Sequence, residues 1–296
     1  GLRAKGPEAR DLKHAEGLGA ETIVAETLGS KEDPELMKTL KRLLDSKEVV
    51  LEVREAKGAE GEAVAHLRCK VFGQGSSMYH SQRNKLRRSP HYLLAGVYHT
   101  TFLVGVARGC SAEGKEVCWK LRSQGLKELY EKGWLTTDEF DMMQEQMEEE
   151  WKMRPELVVG SVDCSTHESF EADGRLRRWV YISSMAVHEQ FRGRGLGTKL
   201  LQGADTHARK IFGVDRTFLH VEELNGVALR LYQRADFVQA DTSVPTIRNM
   251  DRRLRLVLQV PKEASLYFRC LHKPSGDGKT EAETSAPQPL SPSAPQ

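Results

Sequence analysis

Residues 179–201 of the 296-residue chain read WVYISSMAVHEQFRGRGLGTKLL and contain the clearest structural pattern in the sequence. Residues 179–187 are mostly apolar, which predicts a buried strand. After the glycines, Leu200, Leu201, Ala204 and Ala208 have the spacing of one helical face. The sequence therefore predicts a strand, a glycine-rich loop and a helix in direct succession.

The loop has the features of an anion site. Its glycines let a ligand approach the backbone, and the start of the next helix offers unpaired N–H groups and the positive end of the helix dipole. The flanking arginines add charge that suits a phosphate group. The predicted pyrophosphate contacts are Arg192, Gly193, Arg194, Gly195, Leu196, Gly197 and Thr198.

The spacing of the glycines excludes two common nucleotide motifs. A Walker A loop requires GxxxxGK followed by Ser or Thr, which this sequence lacks. A dinucleotide-binding loop requires GxGxxG, but the third glycine position is Thr198 when the motif starts at Gly193. The pattern that fits is Arg/Gln-x-x-Gly-x-Gly/Ala, filled by Arg192, Gly195 and Gly197.

Outward from this stretch, the patterns predict a mixed α/β fold with one twisted sheet of six or seven strands flanked by helices. Strands are predicted at 49–53, 92–98, 103–106, 157–162, 179–187 and 217–221, and helices near 34–44, 64–72, 195–212 and 226–235. Alternating Leu254, Leu256, Leu258 and Val260 predict a late strand. Residues 1–47 are predicted to be a charged extension, 48–271 the main domain, and 272–296 a disordered Pro/Ser-rich tail.

Residues 109–156 show a helical pattern that is predicted to be an insertion. Thr136 and Glu139 have the spacing of a capping box, which predicts a helix start. Phe140, Met143, Met147 and Trp151 share one face, and the other face is acidic. Two interpretations stay open: a solvated acidic face, or a docking arm or groove wall that favours positively charged substrates.

Residues 157–238 resemble the GNAT superfamily of acetyl-coenzyme A transferases. At the expected distance from the loop stands Asn225-x-x-Ala228-x-x-Leu231-Tyr232-x-Arg234-x-Asp236-Phe237, close to the family pattern NxxAxxLYxKxGF. Asp236 replaces the usual glycine, and Asp tolerates a left-handed backbone better than most residues. The resemblance implies the GNAT fold, with acetyl-CoA as co-substrate.

A tighter resemblance, to N-alpha-acetyltransferases of the NatE catalytic type, covers Tyr181–Val187 and Leu219-His220-Val221. In that group the corresponding Tyr and His act through an ordered water as the base, which implies this role for Tyr181 and His220. The alternative for His220 is a satisfied core histidine. Plastid GNAT enzymes of plants and algae also resemble this stretch, which implies a plastid stroma location, with the cytoplasm as the alternative.

The remaining site residues are expected to handle the thioester. Tyr232 is the candidate donor to the departing sulfur, with a packing role as its alternative. Backbone N–H groups at Met185, Ala186 and Val187 would polarise the thioester carbonyl where two central strands splay. Asn225 would bind the pantetheine arm, with a helix cap as its alternative.

Amine chemistry suggests the acceptor. An α-amine with a pKa near about 8 is roughly a tenth neutral at pH 7, whereas a lysine near about 10.4 is less than about 0.1% neutral. We therefore expect direct transfer, in a ternary complex, to protein or peptide N-termini, with lysine side chains as a second acceptor. A small-amine acetyltransferase and a non-catalytic coenzyme-binding regulatory module remain alternatives.

Composition excludes several other classes. The 44 basic and 42 acidic residues leave a net charge of +2, so neither a nucleic acid nor a membrane is expected as partner. The five cysteines lack metal-ligand spacing, so no metal is expected. No apolar run approaches about 18 residues, which predicts a soluble protein. The oligomeric state is left open.

Overall fold

The computed structural model describes residues 33–57, 60–73, 75–88, 97–170, 174–214, 216–258 and 260–271. Most of the predicted N-terminal extension and the whole predicted tail at 272–296 lie outside these ranges. Residues 92–96 of one predicted strand also lie outside them.

Seven strands form one mixed sheet, which confirms the predicted architecture. In chain order they are β1 (Val49–Glu55), β2 (Val97–Gly109), β3 (Glu156–Phe170), β4 (Leu176–Val187), β5 (Arg216–Glu222), β6 (Val238–Gln239) and β7 (Ala264–Cys270). The order across the sheet is β1-β2-β3-β4-β5-β7-β6. Neighbouring strands are antiparallel except β4 and β5, which are parallel.

The α-helices of the described residues lie on both faces of this sheet. They are α1 (Pro34–Asp45), α2 (Gly61–Phe72), α3 (Ser76–Arg88), α4 (Ala112–Glu131), α5 (Thr137–Met153), α6 (Leu196–Lys210), α7 (Gly226–Arg234) and α8 (Pro245–Leu258). Asp33 caps α1 by accepting a hydrogen bond from the Glu35 N–H at 3.0 Å. This cap and the proline that follows it explain why α1 begins there.

Alternation along the strands assigns the helices to faces. Val180 and Ile182 belong to a core cluster with residues of α1, α6 and α7, whereas Tyr181 belongs to a cluster with residues of α8. In β2, Leu103 packs in the first of these clusters, and its neighbours pack against α2, α4 and α5. Helices α1, α6 and α7 therefore cover one face, and α2, α3, α5 and α8 cover the other.

The predicted helical segment between β2 and β3 is confirmed as α4 and α5. Thr136 and Glu139 form both hydrogen bonds of the capping box at the start of α5. Met143 and Met147 are buried, as the predicted apolar face requires. The segment's status as an insertion stays a prediction.

The predicted strand at 254–260 is wrong, because α8 occupies residues up to Leu258. The apparent alternation of leucines has no structural counterpart: Leu254 is 1% exposed and Leu256 is 81% exposed. In a helix, residues two apart point in different directions, so one leucine enters the core while the other meets solvent. The late strand of the sheet is β7, which begins at Ala264 and pairs antiparallel with β5.

Candidate active site

The centre of the site is a fork between β4 and β5. These parallel strands pair only at Val180 with Thr217 and at Tyr181 with Phe218. On the other side of β4, the register with β3 shifts between Ser161 and Asp163, and Ser184 has a φ of 51°. This bulge bends β4 away from β5. The splay predicted for the two central strands is therefore present, and it leaves the end of β4 facing an opening.

The glycine loop lies where β4 ends and α6 begins. Gly193 and Gly195 have φ values of 73° and 77°, and Gly195 is the N-cap of α6, with no side-chain cap. A Cβ at either glycine would meet nothing within 4 Å, so backbone conformation requires these glycines, not crowding. The first N–H groups of α6 are thus left for an anion.

Gly197 is required for a different reason. A Cβ at this position would lie 3.0 Å from a Leu231 methyl group and 3.4 Å from the Met185 methyl group. Gly197 therefore lets α6 approach α7 and the bulge of β4 closely. Thr198 is exposed in the first turn of α6, whereas Leu196 is buried and can offer a ligand only its backbone.

The basic side chains around the loop make contacts within the protein. Arg192 Nε donates to the Val187 carbonyl at 3.0 Å, and Arg194 Nη1 donates to Asp45 Oδ1 at 2.8 Å. Lys199 Nζ lies 2.8 Å from a backbone carbonyl of β1. These contacts fix the loop.

Asn225 caps α7, since its Oδ1 accepts a hydrogen bond from the Ala228 N–H at 3.1 Å. The capping alternative is thus observed, and a contact with pantetheine stays a prediction. Asp236 has a φ of 60°, which confirms the left-handed turn expected where the family has glycine.

Tyr232 lies on the face covered by α6 and α7. It is 8% exposed, and its hydroxyl donates to the sulfur of Met185 at 3.8 Å. Burial raises the pKa of Tyr232 to about 12. A phenol this weakly acidic keeps its proton, so Tyr232 is suited to donating a hydrogen bond to a sulfur more than to giving up a proton.

Tyr181 and His220 meet on the opposite face. The Tyr181 hydroxyl is 2.9 Å from His220 Nδ1. His220 Nε2 is in turn 2.7 Å from Asp251 Oδ1, and Arg255 Nε donates to Asp251 Oδ2 at 2.9 Å. The sequence placed Tyr181 and His220 together through a water, whereas the structure joins them directly and adds two residues of α8.

The hydrogen bonds determine the tautomer of His220. Burial works to raise the pKa of Asp251, but the hydrogen bonds from Arg255 and His220 prevail and lower it, so the carboxylate is ionised. An ionised carboxylate only accepts hydrogen bonds, so Nε2 of His220 carries the proton. Nδ1 is then an acceptor, and the Tyr181 hydroxyl donates to it.

Burial also keeps both groups uncharged. It raises the pKa of Tyr181 well above its usual range. Burial lowers the pKa of His220, although Asp251 opposes this by favouring the charged form. At neutral pH the pair is therefore a phenol and a neutral imidazole, ready to accept one proton.

Asp251 and Arg255 were missed from the sequence because residues 254–260 were predicted to be a strand and the first part of α8 was not predicted at all. Their spacing of four residues, which places an acid and a base on one helical face, was a usable signal. Pro245, which stands at the start of α8, was a second one. Neither signal indicates that this helix lies over His220.

Within the described ranges of the chain, no group of three or more His, Cys, Asp and Glu is arranged to hold a metal ion. Likewise, none of the helices there combines the length and apolarity needed to cross a membrane.

Residues 122–237 match the family model described as Acetyltransferase (GNAT) family. The match begins inside α4 and includes β3, β4, the glycine loop, α6, β5 and α7. The matched residues therefore have the pattern of the GNAT family, and the mixed seven-stranded sheet agrees with that fold.

Several curated proteins are similar to parts of this chain. A mycothiol acetyltransferase of Propionibacterium freudenreichii is 32% identical over 104 residues, which are 33% of this chain and 32% of that protein. A spermine/spermidine N(1)-acetyltransferase of Bacillus subtilis is 30% identical over 80 residues, 27% of this chain and 52% of that protein. An N-alpha-acetyltransferase of Sulfurisphaera tokodaii is 33% identical over 57 residues, 19% of this chain and 34% of that protein. The chain thus spans between about a third and a half of the length of these relatives.

Solved structures are similar at much lower identity. Arabidopsis thaliana NAA60 in complex with a bisubstrate analogue is 13% identical with a TM-score of 0.43, covering 75% of this chain and 100% of that chain. A GNAT-family acetyltransferase of Staphylococcus aureus is 11% identical with a TM-score of 0.42, at the same coverage.

Proposed function

We propose that this protein transfers the acetyl group of acetyl-CoA to the N-terminal α-amine of a protein or peptide, by direct transfer in a ternary complex. The observation that carries the proposal is the arrangement around the fork. A glycine loop suited to pyrophosphate and a buried tyrosine lie on one side, and on the other lies a Tyr181–His220 pair in which His220 Nδ1 can take up the tyrosine proton.

The residues fit acetyl-CoA at three points. The uncapped start of α6 suits the pyrophosphate. The opening between β4 and β5 suits an extended arm that hydrogen bonds to the unpaired edge of β4. The strand end at Met185–Val187 then offers backbone N–H groups to the thioester oxygen as negative charge develops on it.

Proton transfer follows from the tautomer of His220. The amine nitrogen attacks the thioester carbonyl carbon, and the C–S bond breaks as the amide forms. The nitrogen's extra proton passes to the Tyr181 oxygen while the Tyr181 proton passes to His220 Nδ1, and Asp251 stabilises the imidazolium. Tyr232 donates a hydrogen bond to the departing sulfur.

The direct test is release of coenzyme A with three acceptor pools: free-N-terminus peptides, N-terminally blocked lysine peptides, and small amines. Mass spectrometry locates the acetyl group. We expect acetylation of free N-termini that is lost in Tyr181→Phe and His220→Ala. Turnover confined to lysine peptides or to small amines would overturn the proposed acceptor.

A small amine is the second candidate acceptor, because two of the similar curated proteins are a spermine/spermidine N(1)-acetyltransferase and a mycothiol acetyltransferase. The pool of small amines decides between the two. No turnover in any pool, together with retained coenzyme binding, would support a regulatory module instead.

We also propose a plastid location, on the family resemblance alone, which a fluorescent fusion in plant cells would test.

A further inference from the structure

A second pocket lies between α2, α4 and α5. It has a volume of about 140 Å³, and the turn at Glu189–Phe191 and the start of β3 close its inner end. Tyr181, His220 and Tyr232 do not line it. The pocket is therefore separate from the candidate active site, and helices α4 and α5 build much of its wall.

The wall is largely apolar. The residues that provide the apolar surface include Leu67, Leu126, Leu129, Met143, Met147 and Phe191. An apolar cavity of about 150 Å³ holds one benzene molecule in a well-studied protein, so this pocket has the size of one aromatic ring. The two methionine sulfurs also make favourable contacts with aromatic rings.

Three buried polar atoms on the lining residues have no hydrogen-bond partner: His66 Nε2, His188 Nδ1 and Gln190 Oε1. The closest carboxylate oxygen to His66 Nε2, on Glu128, is 3.8 Å away, which is beyond hydrogen-bond range. Buried polar groups are nearly always paired in folded proteins. Three such atoms lie on residues that line one pocket, where the polar atoms of a ligand could pair with them.

The charges of the pocket are already balanced. Each acidic lining residue has a cationic partner: Glu62 with Arg83, Glu128 with Lys132, and Glu150 with Arg122. Burial lowers the pKa of His66 and of His188 to about 4, so both imidazoles are neutral at pH 7. A charged ligand would enter without a counter-charge, which favours an uncharged one.

We propose that this pocket is a second binding site, for an uncharged ligand with one aromatic ring and at least one hydroxyl or N–H donor. Gln190 Oε1 accepts the donor's hydrogen bond, since an amide oxygen can only accept. The neutral imidazoles pair with the ligand's remaining polar atoms.

The pocket is linked to the glycine loop through the chain itself. His188, Gln190 and Phe191 directly precede Arg192, whose N–H donates to the Glu189 carbonyl at 3.1 Å and whose Nε donates to the Val187 carbonyl. A ligand that orders this turn also orders the start of the loop. Resting on the proposed function, we infer that the bound ligand tightens acetyl-CoA binding.

The test uses phenol as the probe and calorimetric titration of the full chain. We expect saturable phenol binding, weaker binding of toluene, which has the same shape without a donor, and no binding of benzoate, which is charged. No saturable phenol binding would overturn the site, and equal binding of toluene or benzoate would overturn the proposed ligand chemistry.

Two variants locate the binding. Gln190→Met removes the acceptor at similar size and is expected to weaken phenol binding about three- to tenfold. Ala63→Phe fills the pocket from α2 and is expected to abolish binding. The matched control is Gln144→Met, on the exposed side of α5, which should bind phenol as the parent does. Thermal unfolding of each variant checks that the fold is retained, and unchanged binding in both pocket variants would contradict the site.

The coupling has its own readout. The dissociation constant of acetyl-CoA, measured with and without saturating phenol, should fall with phenol in the parent and stay constant in Ala63→Phe. An unchanged constant in the parent would overturn the coupling. A chain that fails to bind acetyl-CoA but binds phenol would overturn the proposed function and leave the second site standing.

Discussion

On the side of the fork covered by α6 and α7, the candidate binding groups are consecutive residues 192–198, and their geometry comes from left-handed glycines and the start of a helix. On the side covered by α8, Tyr181, His220 and Asp251 come from three elements, separated by 39 and 31 residues, and side-chain hydrogen bonds join them. The first arrangement depends on local backbone conformation. The second exists only when the whole fold is assembled, so the loss of one member affects all the others.

The largest effect is expected from Asp251→Asn, which tests whether Tyr181, His220 and Asp251, on the side covered by α8, work as one unit. Without an ionised acceptor, nothing fixes the proton on Nε2 of His220, so Nδ1 no longer accepts reliably from Tyr181. We expect kcat/KM to fall by about 10²- to 10⁴-fold with little change in acetyl-CoA affinity. Coenzyme A release and calorimetry measure the two quantities.

The matched control is Asp241→Asn, an exposed aspartate that bonds only to the nearby Ser243 turn. It should keep full activity. A parent-like rate in Asp251→Asn would show that the hydrogen bond to His220 is structural and has no part in catalysis.

The same side also carries the strongest expected stability effect. The Arg68 guanidinium is buried and donates to Asp163 Oδ2 at 3.2 Å and to the Ser161 hydroxyl at 3.1 Å, which ties α2 to β3 beside the bulge. Arg68→Met leaves the Asp163 carboxylate buried and unpaired, so we expect the free energy of unfolding to fall by about 3–5 kcal/mol. Urea unfolding measures it.

Arg42→Met is the comparison for that measurement. Arg42 is about half exposed and pairs with Glu113 at the surface, where solvent screens the pair, so its loss should leave the free energy of unfolding nearly unchanged. Equal losses in the two variants would contradict the view that the buried pair holds α2 on the sheet.

Gly195→Ala tests the side covered by α6 and α7, where the geometry depends on local backbone conformation. The left-handed backbone costs a non-glycine residue roughly 1–2 kcal/mol, and no side-chain clash adds to it. We expect the acetyl-CoA dissociation constant to rise about tenfold, because relief of the strain moves the first N–H groups of α6.

Gly213→Ala provides the matched control. Gly213 has a φ of 62° and equally open surroundings, but it follows α6 at the end far from the loop. It should lose similar stability and bind acetyl-CoA as the parent does. If both variants bind the coenzyme equally well, the loop is not the anion site.

The smallest effect concerns pH. Because the pKa of His220 is lowered, activity should fall only below about pH 6.5, when Nδ1 is protonated and stops accepting. Arg255 contributes to lowering this pKa, so Arg255→Gln should move the acidic limb of kcat/KM to higher pH, while the exposed Arg252→Gln should leave it in place. A limb that moves to lower pH in Arg255→Gln would contradict the assigned contacts.

The same shift affects stability. The pKa of His220 is lower in the folded than in the unfolded chain, so the unfolded chain binds the proton more readily. This contribution to stability is present above about pH 6.5 and is lost as the pH falls through the folded pKa.

The comparison also explains what the sequence could and could not predict. The strand and the glycines of the loop follow from local rules, the left-handed turn at Asp236 follows from the family resemblance, and the structure confirms them. The resemblance paired Tyr181 with His220, but no local rule places Asp251 against His220. That contact requires α8 to lie across β4 and β5, and the leucine alternation that suggested a strand concealed the helix.

The short junction between β4 and β5 has a mechanical consequence. Among the described residues, the backbone ladder between the four-stranded part β1–β4 and the three-stranded part β5, β7 and β6 has only two residue pairs. The hydrogen-bond ladder is therefore weakest at its middle, and the two parts are expected to behave as separate cooperative units in hydrogen exchange. Pulling the chain by its two ends should separate the sheet along this line first, before either part unravels.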